Sequence, residues 1–119
     1  MGFEVKDLQK SKKFYESALA PLGIKLLVYL EEYQAAGFGT DRPRFWLGGG
    51  ESTGADEVHL CFSAKNRAEV RAFYDAAMQA GAKDNGKPGL RPEYHEHYYG
   101  AFVHDPDGHN IEACCHVPE

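Results

Sequence analysis

The sequence predicts an α+β domain of two similar halves, each supplying one helix to the outer side of a sheet whose other face is free to curve into a cup. Three observations carry this. First, the chain repeats itself: Phe14-Tyr15 recurs as Phe73-Tyr74, and at that 59-residue offset Phe3 falls on Phe62, Lys6 on Lys65 and Asp7 on Asn66. Second, each half runs in one order, a short strand, an amphipathic helix, then further strands. Third, 119 residues with 43% hydrophobic and 26% charged composition suit one globular domain. A chain of this size buries roughly two-thirds of its unfolded surface and needs no disulfide or metal to hold a core. Residues 1–119 are therefore expected to form a single domain with repeat halves 1–56 and 57–119.

The first half opens with a strand over Gly2–Val5. Asp7 is placed to cap the following helix, because its carboxylate accepts from the unpaired N–H groups of the first turn. Leu8, Phe14, Tyr15, Ala18, Leu19 and Leu22 recur at helical spacing, and Pro21 with Gly23 ends the run. Strands are expected over Lys25–Leu30, 33–38 and 44–47. In the second half, 58–63 alternates apolar and polar as a half-buried strand does. Asn66 with Glu69 resembles a capping box. Val70, Phe73, Tyr74, Ala77 and Met78 form the apolar helix face, and Gly81 stops the helix. Residues 83–92, with Gly86, Pro88, Gly89 and Pro92, read as a loop. Strands over 98–103 and Asn110–Cys115 close the half. Residues 38–48 also run parallel to 102–112 at an offset of 64, which sets Trp46 on Asn110 and Gly48 on Glu112.

Several classes of function are excluded early. The net charge of −5 is poorly suited to nucleic acid, which is bound by clustered Lys and Arg. The longest apolar stretch, 24–30, is interrupted by Lys25 and is far short of the roughly 20 residues a membrane-spanning helix needs. No cationic segment followed by an apolar one opens the chain as a secretory signal would. Lys6 stands where a myristoylation pattern wants Ser or Thr. Cys61, Cys114 and Cys115 are an odd set with two neighbours adjacent, which is no disulfide framework. They read as reduced packing residues, in a cytoplasmic protein.

Strand alternation then identifies a site. If Val58, Leu60 and Phe62 face the helix, His59, Cys61 and Ser63 face the open side. If Ile111, Ala113 and Cys115 face the core, Asn110, Glu112 and Cys114 face the cup, and Trp46 faces it from the first half. An imidazole and a carboxylate pointing into one hollow are common ligands for first-row divalent metals. A satisfied or merely exposed histidine is the commoner arrangement for a strand.

The segment from Phe3 to Tyr15 resembles the opening strand and helix of the vicinal oxygen chelate superfamily. That group includes glyoxalase I, bleomycin resistance proteins, fosfomycin resistance enzymes and extradiol dioxygenases. Val103-His-Asp-Pro-Asp-Gly-His-Asn-Ile-Glu112 resembles its closing hairpin. The resemblance implies paired β-α-β-β-β modules that form a curved mixed sheet with helices on the outer face, assembled as a homodimer. It implies a divalent metal (Zn, Ni, Mn or Fe), with His59 and Glu112 as ligands and Glu112 also catalytic. The activity implied is that of a metal-dependent lyase, isomerase or dioxygenase acting on a small molecule with vicinal oxygens. A metal-free binding protein of the bleomycin resistance kind is the alternative. The 59-residue offset sets the first-strand counterpart of His59 just ahead of Met1, and Gly48 stands where glyoxalase I carries a glutamate.

Arg91, Tyr94, His95, His97, Tyr98 and Tyr99 cluster before the penultimate strand. They read either as an interface or as a lid in which Arg91 meets an anionic group and Tyr94, His97 and Tyr99 contact substrate beside Trp46. His95-x-His97 is a further possible source of a ligand. Position 99 is Tyr, so no HExxH zinc motif is present. Residues 105–108 lack the calcium-loop pattern and read as a turn. The glycines at 48–50 are not followed by the Lys-Ser/Thr of a phosphate-binding loop.

Overall fold

Both helices start where a side chain can satisfy the first turn. The Asp7 carboxylate accepts from the Lys10 N–H at 3.1 Å, and the Asn66 side chain accepts from the Glu69 N–H at 2.9 Å. Glu69 in turn accepts from the Lys65 N–H at 2.9 Å, one residue ahead of the cap. Asn66→Ala is expected to cost about 1 kcal/mol, read as a lowered urea midpoint at unchanged slope.

The computed structural model describes residues 1–119, the side chain of Asp56 excepted. Its elements are β1 (Gly2–Val5), α1 (Leu8–Leu19), β2 (Lys25–Leu30), β3 (Ala35–Gly39), β4 (Pro43–Gly49), β5 (His59–Ser63), α2 (Arg67–Gln79), β6 (Lys83–Leu90), β7 (Tyr99–His104) and β8 (Asn110–Cys115). They form two four-stranded sheets of matching order, β1-β4-β3-β2 and β5-β8-β7-β6. In each sheet the outer pair, β1 with β4 or β5 with β8, is parallel and the rest antiparallel. This is the α+β fold of two β-α-β-β-β modules that the repeat predicts.

Two expectations change. Residues 31–33 form a 3-10 turn, so β3 starts at Ala35, with Gln34 in the left-handed region at φ 50°. Residues 83–90 are a strand rather than a loop. β6 lies at a sheet edge, where Pro88 need not donate to a ladder. Register shifts at 84/86 and 86/89 absorb the glycines, Gly86 at φ 149°.

The shared core is aromatic. Phe3, Tyr15, Phe38, Phe45 and Phe62 pack in tilted or edge-on pairs with centroids 5.1–6.5 Å apart, joining the two modules. A buried polar group lies beside it. Asp105 Oδ2 accepts from the Tyr15 hydroxyl at 2.6 Å and lies 3.1 Å from His109 Nδ1. Its Oδ1 accepts from the N–H groups of Asp107 and His109. His109 Nε2 lies 2.6 Å from the Thr53 carbonyl oxygen. The turn after β7 is thereby tied to the first helix and to the connection between modules.

Strand pairing also revises the repeat alignment. β1 pairs Gly2 with Trp46, while β5 pairs Cys61 with Glu112. The helix caps Asp7 and Asn66 hold the 59-residue offset, which makes Gly2 the counterpart of Cys61. Trp46, and not Gly48, therefore occupies the position equivalent to Glu112, and Gly48 is the counterpart of Cys114. The identity-based offset of 64 misplaced β4 by two residues, which keeps the alternation and so escapes notice.

Candidate functional site

Adjacent parallel strands bring His59 and Glu112 together on the face away from the helices. His59 Nε2 lies 3.0 Å from Glu112 Oε1. Their surroundings differ: the Glu112 side chain is 2% exposed and that of His59 56% exposed. One partner is held in place and the other faces solvent. The Tyr98 hydroxyl donates to Glu112 Oε2. Gly100 makes room for this, because a Cβ there would lie 3.1 Å from Glu112 Oε2 and 3.2 Å from the Tyr98 ring. Among the described residues no lysine or arginine forms an ion pair with Glu112. Gly100→Ala is expected to push the Tyr98 ring off the carboxylate, read as a change in tyrosine absorbance with little change in folding.

Two cysteines complete the cluster. Cys61 Sγ lies 3.0 Å from Cys114 Sγ, and Cys114 Sγ lies 4.0 Å from His116 Nε2. One donor atom from each of Cys61, Glu112 and Cys114 falls within 4.8 Å of the others. The Cys61 S–H, donating toward Cys114, and the neighbouring Tyr98 hydroxyl pull its thiol down to about 6 against the opposing effect of burial. The Cys61 thiol is pushed up by its hydrogen bond to Cys114 and by burial. Tyr98 is pushed up by burial and by its bond to Glu112. His116 stacks on His95 at 4.4 Å between centroids.

Above the sheet lies an open cavity of about 320 Å³ lined by His59, Asn85, Gly86, Arg91, Tyr94, Phe102 and Asn110. Arg91 lies over the Phe102 ring at 5.5 Å and donates to the Lys87 carbonyl oxygen at 2.8 Å. A second hollow of about 270 Å³ runs between the starts of β1 and β5 and reaches His59 from the other side.

The residues expected at the site are thus partly gathered. His59, Arg91 and Tyr94 border one cavity, with Glu112 bonded to His59 beneath it. Trp46 lies on the open face of the other sheet, over Gly37, where an added Cβ would come 3.0 Å from its ring. His97 is half exposed, 3.8 Å from Glu96. Tyr99 is a correction. Its ring packs beneath Arg67 at 5.2 Å, and its hydroxyl accepts from Arg71 at 3.4 Å. It therefore faces α2, because β7 alternates and Phe102 and Gly100 take the cup side. Tyr98, Cys61 and Cys114 lie in the same cluster without having been expected there. Alternation already set both cysteines on the cup face, and only the general tendency of cysteine to pack hid them.

The donors fit a divalent cation: an imidazole open to solvent and a buried carboxylate fixed by a phenol, with thiols alongside. No helix among the described residues is long and apolar enough to cross a membrane.

Comparison with known proteins agrees with this geometry. The sequence profile of the Glyoxalase/Bleomycin resistance protein/Dioxygenase superfamily matches residues 2–113. No curated protein matches. A glyoxalase/bleomycin resistance protein from Albidiferax ferrireducens T118 is 28% identical, superposes with a TM-score of 0.86, and is matched over 97% of this chain and 95% of that one. Lactoylglutathione lyase from Agrobacterium tumefaciens shares the fold at 19% identity and a TM-score of 0.68, over 97% and 90% of the two chains. Fosfomycin resistance protein FosX from Mesorhizobium loti shares it at 16% and 0.72, over 98% and 89%. With its profile match running from β1 into β8 and its two modules in place, the chain belongs to the Glyoxalase/Bleomycin resistance protein/Dioxygenase superfamily.

Proposed function

We propose that this protein is a glyoxalase-type metal-dependent enzyme acting on a small substrate with vicinal oxygens. The observation that carries the reading is the meeting of His59 and Glu112 at 3.0 Å, one buried and one open to the cavity. These two residues would hold the cation, whose chemistry when bound is that of a Lewis acid on adjacent substrate oxygens. Glu112, kept in place by Tyr98, takes or returns a proton at Oε1. Arg91 offers a positive charge at the rim for an anionic group, and Tyr94 and Phe102 supply aromatic surface to the cavity. Lyase, isomerase and dioxygenase outcomes share this arrangement. A homodimer, implied by the family resemblance, and a cytoplasmic setting, expected from the reduced cysteines, complete the proposal.

One observation favours a second reading, metal-free sequestration of a small molecule. Trp46 replaces an acid at the first-module counterpart of Glu112, and Glu112 is already bonded on both oxygens. Two measurements separate the readings. Purified protein should contain about one divalent metal per chain, and His59→Ala should remove it. Titration with α-hydroxycarbonyls, thiol adducts and catechols should give turnover in the metal-loaded form alone. Unchanged metal content in the variant, or tight binding without metal and without turnover, would overturn the enzyme reading.

A further inference from the structure

Cys61 and Cys114 are reactive groups inside the cup that the proposed chemistry leaves unused. Resting on the reading that the cup binds a cation, we propose that the cation is thiophilic: Cys61 and Cys114 ligate it as thiolates together with Glu112 and His59. The site would then select Zn²⁺ or Co²⁺ over Mg²⁺ or Mn²⁺.

Four features support this. The sulfur and carboxylate donors already converge, all within 4.8 Å, with His59 Nε2 3.0 Å from Glu112. A four-coordinate ion with metal–sulfur bonds of about 2.3 Å holds its two sulfurs about 3.8 Å apart. The present Sγ–Sγ separation of 3.0 Å needs only a modest rotation of Cys61, whose side chain is exposed. Glu112 is a buried carboxylate with no lysine or arginine paired to it among the described residues, and a dication offsets its charge and that of the thiolates. Tyr98 holds Glu112 Oε2, as outer partners of ligating carboxylates do, and Oε1 lies beside His59 Nε2, so an ion entering there replaces the contact between these two donors. On binding, both sulfurs are held as thiolates, a proton still on either passes to solvent, and no electron is transferred. Thiolate ligands favour zinc-like ions, whereas magnesium and manganese prefer oxygen. Cys115 takes no part, since it packs with Val70 and Ala101 on the helix side.

Cobalt is the probe. Co²⁺ is added to the full chain in a phosphine reductant without oxygen, and absorbance is followed. One equivalent should produce a near-ultraviolet thiolate-to-cobalt charge-transfer band with intense visible bands of four-coordinate cobalt. Zn²⁺ should abolish both and Mg²⁺ in large excess should not. Cys61→Ser and Cys114→Ser should each reduce the charge-transfer band by about half and weaken binding at least about tenfold, while Cys115→Ala leaves the spectrum unchanged. Cobalt bound without that band, or with the band unchanged in both serine variants, overturns the thiolate assignment and leaves the His59–Glu112 reading standing. No cobalt bound overturns both. A band retained in His59→Ala supports the thiolates and removes His59 from the ligand set. Matched circular dichroism melts of the variants separate lost ligation from lost folding.

Discussion

Asp105→Ala should destabilise the protein by about 3–5 kcal/mol, because it strips the only carboxylate from a buried network and strands the groups facing it. Asp105 answers four donors: the Tyr15 hydroxyl, the His109 ring, and the N–H groups of Asp107 and His109. His109 has a partner at each ring nitrogen, Asp105 and the Thr53 carbonyl oxygen. Removing the acid leaves a fully buried histidine with one partner and the Tyr15 hydroxyl with none from this turn. The loss is a large share of a total that rarely exceeds about 15 kcal/mol. It should lower the melting temperature by roughly 15 °C, and a calorimetric melt within two or three degrees of wild type would show that the network contributes little.

Tyr15→Phe provides the graded control. It removes one hydrogen bond to a charged acceptor and should cost about 1.5–3 kcal/mol. The pH dependence has a definite sign. Burial and the neighbouring Asp105 carboxylate raise the Tyr15 hydroxyl well above its ordinary value. The unfolded chain then ionises this tyrosine near pH 10 while the folded chain keeps it neutral. Its contribution is therefore full below pH 10 and is lost as pH rises toward the folded value. Chemical denaturation between pH 9 and 11 should show stability falling more steeply in wild type than in Tyr15→Phe. Parallel slopes would count against the buried phenol.

Glu112→Gln should have the largest effect on function. The substitution keeps the shape of the side chain and the bond from Tyr98, but it removes the negative charge and the basic oxygen facing His59. Turnover of any substrate found should fall on the order of 10²–10⁴-fold, the usual contribution of a positioned acid or base, and metal content should fall with it. Tyr98→Phe leaves the carboxylate charged but untethered, and metal affinity should drop about 10–100-fold. If Glu112→Gln retains both metal and rate, the carboxylate is a structural group and takes no part in metal binding or proton transfer. Folding should survive in both variants, because neither removes an apolar contact of the aromatic core.

Most of the architecture was legible because it depends on local chemistry. Asp7 and Asn66 cap helices with groups present in the sequence, and Phe14-Tyr15 and Phe73-Tyr74 mark the same turn of two equivalent helices. β6 escaped because glycine and proline argue against a strand everywhere except at an irregular edge, and edge position is a property of the whole sheet. Tyr99 was read with the polar-aromatic cluster before the strand as a substrate contact, whereas it is the first residue of β7 and alternation turns it toward α2.

Strand alternation by itself determined that His59 and Glu112 share a face with Cys61 and Cys114, since a period of two is a property of extended backbone. Only the tertiary structure decided which strands lie side by side, and hence that these four groups come within bonding range of one another. Pairing register is set by long-range packing against the helices and by turn lengths. That is why Trp46 rather than Gly48 stands in the place of the acid, and why Tyr98 reaches Glu112 across a glycine no local pattern singles out.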